Sequence, residues 1–232
     1  MINGNTLRTF HLTSPGIRAV TEAQLVHLGH HGADAAGSLR TSLGKQGQGT
    51  DARTDEQHGR TILASIVGWP VHTSVDNSRE IIKEVLSADE TFAVCLKEDN
   101  VAIGSIGLFS PAQSHTAISD DEIEIGYWIG VPFWGNGYIP EAVRVLQRHA
   151  FEDLGCSAMW CGYYDGNEKS KRCMEKCGFV YHHTEENKPC ALMGDVRTEH
   201  FSYLTKQQWK NRLDKALVLY VHGKGGNAEE AE

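Results

Sequence analysis

Between Glu124 and Ala142 the chain reads Glu-Ile-Gly-Tyr-Trp-Ile-Gly-Val-Pro-Phe-Trp-Gly-Asn-Gly-Tyr-Ile-Pro-Glu-Ala. A strand-like run leads into a glycine-bearing turn, and the turn opens a helix. Such a turn aims several unpaired N–H groups and the positive end of the helix at one point. Gly135 and Gly137 remove the side chains that would keep an anion from those amides. Pro140 suits the first helical turn, where its missing N–H is not needed. A diphosphate fits this arrangement, and so does a tight strand–helix turn with no ligand, because G-x-G alone recurs by chance. Two phosphate loops are excluded by spacing. The pattern is not G-x-x-x-x-G-K-[ST], and proline at 140 breaks G-x-G-x-x-G.

A second group follows about thirty residues later, Asn167-Glu-Lys-Ser170-Lys-Arg, then Glu175-Lys-Cys-Gly-Phe179. Together the two stretches resemble the GNAT superfamily of acyl-CoA N-acyltransferases, most of all its Rim-type branch, which includes enzymes acetylating protein N-termini. The resemblance spans roughly residues 65–209. It implies a mixed, mostly antiparallel α/β sheet flanked by helices and splayed at the middle to admit acetyl-CoA as co-substrate. It also implies direct attack by a primary amine, with no metal. Trp134, Gly135, Asn136, Gly137 and Tyr138 would offer backbone N–H groups to the pyrophosphate. The backbone of Tyr127, Trp128 and Ile129 would pair with the pantetheine arm, and Asn167 would hydrogen-bond the same arm. Ser170 would donate to the departing thiolate. The tyrosine acid of many members is replaced here by Met174, and Pro132 stands where Gln or Arg is usual.

An attacking amine must first lose a proton. Glu122 and Glu124 share one face of the strand before the turn, and Glu124, nearer the turn, is the expected base, acting directly or through water. A solvent-facing carboxylate is the alternative for that position. Glu185, Glu186 and Asp195 flank the last hairpin, where members often line the acceptor site, and Glu185 is carried as a substrate contact. Trp69 would wall the acceptor pocket or sit in the core. Lys169, Lys171 and Arg172 could meet the 3′-phosphate of the cofactor or form a solvated helix face.

The surrounding elements are expected in the order α-β-β-β-α-β-α-β-β after residue 74. They are a helix over Ser74–Leu86, strands over Thr91–Leu96, Val101–Phe109 and Glu122–Ile129, a helix over Pro140–Leu154, a strand over Ser157–Tyr164, a helix over Glu168–Lys176, and strands over Phe179–His183 and Val196–Leu204. Asp99-Asn100 suits a hairpin turn. Upstream, Thr6–Leu12 reads as a strand and Ala19–Leu28 as a short helix. Residues 33–61 carry no aromatic side chain and no sustained period, so they read as loop or disorder. They match no family pattern, as a divergent insertion or a shifted reading frame would. The expected division is therefore an atypical region over 1–61, the transferase domain over 62–210 and a glycine-rich acidic tail over 211–232.

The 232 residues are 40% hydrophobic and 22% charged, with formal net charge -8. That balance argues against a sequence-independent nucleic-acid partner, which needs a basic surface. No apolar run reaches bilayer length and no secretory leader is visible, so a soluble cytoplasmic protein is expected, monomer or homodimer. Six cysteines, at 95, 156, 161, 173, 177 and 190, lie in apolar or helical patterns and read as reduced thiols. Cys173 and Cys177 with His182 and His183 have the wrong spacing for a zinc knuckle. Two rival readings stay open: a catalytically silent acyl-CoA-binding module, and an interaction protein working through its first 61 residues. The acceptor, whether protein α-amine, polyamine, amino sugar or aminoglycoside, is not set by spacing.

Overall fold

Alternating apolar residues over 91–129 build consecutive antiparallel strands because every second side chain finds the same buried face. In the computed structural model the described residues are 17–21, 68, 89–97, 101–116 and 118–213. Among them are strands β1 (Ile17–Thr21), β2 (Thr91–Leu96), β3 (Ala102–Phe109), β4 (Glu122–Ile129), β5 (Ala158–Tyr164), β6 (Val180–Cys190) and β7 (Asp195–Thr205). Helix α1 (Tyr138–Arg148) joins β4 to β5, and α2 (Glu168–Cys177) follows β5. One sheet runs in the order β1-β2-β3-β4-β5-β7-β6. Every pair is antiparallel except β4 with β5, which is parallel and needs the α1 crossover.

The parallel pair decides the architecture. Its ladder has three rungs, Glu122↔Ala158, Ile123↔Met159 and Glu124↔Trp160. Beyond Glu124 both strands continue, to Ile129 and Tyr164, without pairing, so the sheet forks at its centre. On one face Ile123, Ile125, Met159, Cys161 and Leu204 pack against Ile139, Ala142, Val143 and Leu146 of α1 and against Met174 and Cys177 of α2. The other face carries Glu122, Glu124, Trp160, Gly162, Glu199 and Tyr203 by strand alternation.

Several boundaries move for local reasons. Helix α1 starts at Tyr138 rather than at Pro140, because Gly137 takes the left-handed cap (φ +79°). Its last turn widens into a π-turn over His149–Asp153, where the buried His149 ring contacts Asp153 at 2.7 Å and Glu90 at 2.9 Å. Strand β6 runs seven residues past the expected His183, to Cys190, because β7 offers it a partner along its length. The expected helix from Ala19 is overturned over 19–21, which belong to β1. There the open edge of β2 supplies main-chain partners from Ile17↔Leu96 to Thr21↔Phe92, and these outweigh the sparse helical spacing of Val20, Leu25 and Leu28. The expected strand over 6–12, the helix over 74–86, the turn at 99–100 and the stretch 33–61 lie outside the described residues.

Gly104 shows how tightly β3 meets β4. A Cβ there would sit 2.4 Å from the Trp128 carbonyl oxygen, backbone that cannot swing aside. Gly104→Ala is expected to destabilise the fold by about 2 kcal/mol, as overpacking does, measured by urea denaturation. An unchanged midpoint would contradict the packing described.

Candidate functional site

The fork opens into a cleft of about 300 Å³ bordered by the end of β4, the turn before α1 and the first turns of α2. Gly135 and Gly137 both hold left-handed φ, +82° and +79°, and a Cβ on either would meet nothing within 4 Å. The space in front of the turn is therefore open. Helix α1 has no side-chain cap, and its first internal bond runs from Glu141 N–H to Gly137 carbonyl. Among the described residues, the N–H groups of Gly135, Asn136, Gly137, Tyr138 and Ile139 have no acceptor. Trp134 differs from expectation, since its N–H already donates to the Val131 carbonyl at 3.1 Å. Its indole Nε1–H instead donates to the Ile129 carbonyl at 2.9 Å, while the Asn136 amide donates to the Phe133 carbonyl at 3.1 Å. These side chains brace the turn and leave the N–H groups of the next five residues free of an acceptor.

Strand alternation sorts the pantetheine candidates. Gly130 N–H donates to Ile103 carbonyl at 2.9 Å, so in the regular β3–β4 register the main-chain groups of Trp128 also face β3. Those of Tyr127 and the N–H of Ile129 point into the fork, while the Ile129 carbonyl is taken by the Trp134 indole. The expectation of a main-chain contact from Trp128 is thus corrected: its backbone is used by the sheet, and it borders the cleft only as a residue. Asn167 borders the cleft too, with its Oδ1 accepting from Ser170 N–H at 3.1 Å as the cap of α2. The amide nitrogen of that side chain is left for a ligand.

Ser170 projects from the first turn of α2, and its Oγ lies 3.0 Å from the Tyr127 hydroxyl. A tyrosine hydroxyl therefore reaches this serine from β4, although the helix position of the usual tyrosine is Met174, which is buried in the core. Burial pushes the Tyr127 phenol well above its ordinary range, so it stays protonated and can donate. Nearby, the hydrogen bond from Cys177 lowers the Cys173 thiol. The basic run divides: Lys169 stacks over the Trp134 ring at 4.7 Å and Arg172 borders the cleft, while Lys171 lies on the opposite side of α2.

On the other face, Glu124 is buried at the last rung of the parallel ladder. Its Oε2 accepts from Ser114 Oγ at 2.6 Å and from His115 N–H at 2.8 Å. Burial raises the carboxyl, but the hydrogen bonds from His115 and Ser114 outweigh it, and the pKa ends below the ordinary value. A carboxylate engaged in this way is a poor direct proton acceptor near neutral pH. Glu122 is likewise occupied, accepting from Trp160 Nε1 at 2.9 Å.

Four residues in this cluster, Ser114, His115, Lys188 and Glu199, went unread in the sequence. The Lys188 ammonium lies 2.8 Å from Glu185, 3.0 Å from Glu199 and 2.7 Å from the His115 carbonyl. Burial raises the Glu199 carboxyl, and Lys188 offsets only part of the rise. The Glu199 side chain covers Gly162, where a Cβ would stand 2.7 Å from Oε1. Glu185 is thus an ion-pair partner of Lys188, Glu186 is exposed, and Asp195 pairs with Arg197 at 2.9 Å. Trp69 lies outside the described residues. No group of three metal-ligating side chains gathers among the described residues, and no described helix is long and apolar enough to cross a membrane.

Comparisons with known proteins agree on one family. The model of the acetyltransferase (GNAT) domain matches residues 51–180. FsC-acetyl coenzyme A-N(2)-transacetylase of Aspergillus fumigatus is 32% identical over 94 residues, 38% of this chain and 38% of that protein. N-acetyltransferase YoaA of Bacillus subtilis, itself uncharacterized, is 30% identical over 112 residues, 43% of this chain and 60% of its own. The matches thus span between 38% and 60% of these relatives' lengths. Among solved structures, microcin C7 self immunity acetyltransferase MccE, in complex with acetyl-CoA and AMP, superposes with TM-score 0.59 at 16% identity, covering 83% of this chain and 93% of that one. At that identity the likeness is one of fold.

Proposed function

The chain belongs to the acetyltransferase (GNAT) domain family, and from that premise we propose that it transfers the acetyl group of acetyl-CoA to a primary amine. The observation that supports this reading is the run of five outward N–H groups at a helix N-terminus, opening onto a forked sheet. The chemistry fits a pyrophosphate, since converging main-chain donors need no net positive charge on the protein. In this reading Tyr127 and Ile129 extend the pantetheine arm along the unpaired edge of β4, and Asn167 holds it from α2. Ser170 and the Tyr127 hydroxyl protonate the leaving sulfur. Acceptors with a free α-amine or a small-molecule amine both suit a site of this kind, and an acid-lined acceptor face favours cationic ones.

Two measurements test the reading. CoA at millimolar concentration should raise the melting temperature of the full chain through selective binding to the folded state, and thiol release from acetyl-CoA should appear with at least one amine in a panel. Absence of both would overturn it. Ser170→Ala is expected to lower kcat roughly tenfold to 100-fold with little change in CoA affinity, because the hydroxyl acts on charge developing at sulfur rather than on ground-state binding. A change confined to KM would remove Ser170 from that role.

A further inference from the structure

The amine must shed a proton at the fork, and the buried acid beside the fork is already engaged. The residue held by that acid is His115. Its N–H is fixed by Glu124 Oε2 at 2.8 Å and its carbonyl by Lys188 Nζ at 2.7 Å. The main chain of one loop residue is thereby clamped between β4 and β6. Its ring lies with Nδ1 3.7 Å from Glu124 Oε1, and the side chain is 74% exposed, so the far nitrogen is open to an incoming molecule and to solvent. His115 is thus an exposed loop residue anchored at both main-chain groups, by the buried Glu124 carboxylate and by the half-buried Lys188 ammonium.

We propose that His115 is the proton acceptor for the attacking amine, with Glu124 and Lys188 as positioning residues; the inference rests on the acetyl-transfer reading given above. The alkylammonium gives one proton to His115 Nε2, which passes it to solvent. The freed lone pair forms the C–N bond as the C–S bond breaks, and the second nitrogen proton ends on the sulfur. The acceptor therefore approaches the face opposite α1 and α2, while Ser170 and Tyr127 work from the helical face. The two faces meet where the β4–β5 ladder ends. Cys161, the first β5 residue beyond the last rung, is buried at that point.

The charged groups around the imidazole set its titration. Among the described residues these are Glu124 on β4, Glu199 on β7 and Lys188 on β6. The Glu124 carboxylate, 3.7 Å from Nδ1, raises the His115 pKa, partial desolvation opposes it, and the Glu199 charge adds to the rise against Lys188. A base must be neutral to act, so activity should fall as pH drops through this pKa. Removing the Glu124 charge lowers the pKa and should shift that acid limb to lower pH.

The test uses the full chain and acetyl-CoA, with whichever of a free-N-terminus peptide, spermidine, glucosamine or kanamycin it turns over. His115→Asn should cut kcat/KM on the order of 100-fold at neutral pH and abolish the acid limb, while CoA-dependent thermal protection persists. Glu124→Gln should move the limb to lower pH. In histidine-labelled protein without ligand, the NMR signal missing in His115→Asn should titrate above 6.5 in the wild type and lower in Glu124→Gln. An acid limb unchanged in His115→Asn, or an imidazole indifferent to Glu124→Gln, would overturn the assignment and leave acetyl transfer standing. A wild type that protects with CoA yet turns over no amine would sink the transfer reading and this inference with it.

Discussion

Replacing Gly135 and Gly137 together by valine is expected to weaken CoA binding on the order of 1,000-fold. Both residues hold left-handed φ with empty space in front of them. A β-branched side chain strains that backbone by roughly 1–2 kcal/mol per residue, and it fills the volume through which a phosphate reaches the amides. Loss of two hydrogen bonds to a charged group, at about 2 kcal/mol each, comes to about 4 kcal/mol, or three decades in affinity. Isothermal titration with CoA measures it. The amides lie on an exposed turn, so the fold should survive, and circular dichroism of the variant separates lost binding from lost structure. Wild-type affinity in the double variant would show that the turn is not the cradle.

Lys188→Met should produce the largest loss of stability among single substitutions in the acidic cluster. The ammonium is shared by Glu185, Glu199 and the His115 carbonyl and lies 4.3 Å from the centre of the Phe201 ring. Methionine keeps the packing and strands a Glu199 side chain that is only 9% exposed. Leaving a buried charge without its partner costs about 3 kcal/mol, a fall of roughly 6–12 °C in Tm for a chain of this size. The sign with pH follows from burial. Glu199 is already raised above 4.5, and without Lys188 it rises further. Its folded form then binds a proton that the unfolded form has released, so the variant loses stability as pH rises through the folded pKa. Melts at pH 5 should show a smaller deficit than melts at pH 7.5, and Glu199→Gln in the same background should recover part of it. A deficit independent of pH would mean that packing, not charge, is what Lys188 supplies.

The open turn before α1 was legible because everything it needs is local. A strand end, two glycines and a proline within twelve residues dictate open amides at a helix start, and the structure places them so. The two uses read wrongly, the Trp134 amide and the Trp128 backbone, depended on partners: a 3-10 turn from Val131 and the register against β3. Glu124 was legible as a candidate because it shares one strand face with Glu122 and stands nearer the turn. Its task was not, since Ser114 and His115 arrive from a loop with no periodicity to announce it. Residues 19–21 went to a sheet edge for the same reason, a partner seventy residues on.

By itself, then, the sequence determined the open glycine turn at the start of α1, the β4–α1 and β5–α2 units and the identity of the family, because hydrogen bonds and steric preferences between near neighbours settle these. Only the tertiary structure brings together the groups on which the proton-transfer proposal rests. His115 and Lys188 are 73 residues apart in the chain and touch only when β6 folds back against β7 at the edge of the sheet. The carboxylates gathered there then set the titration of each group, and that gathering is a property of the packed sheet that no spacing of residues encodes.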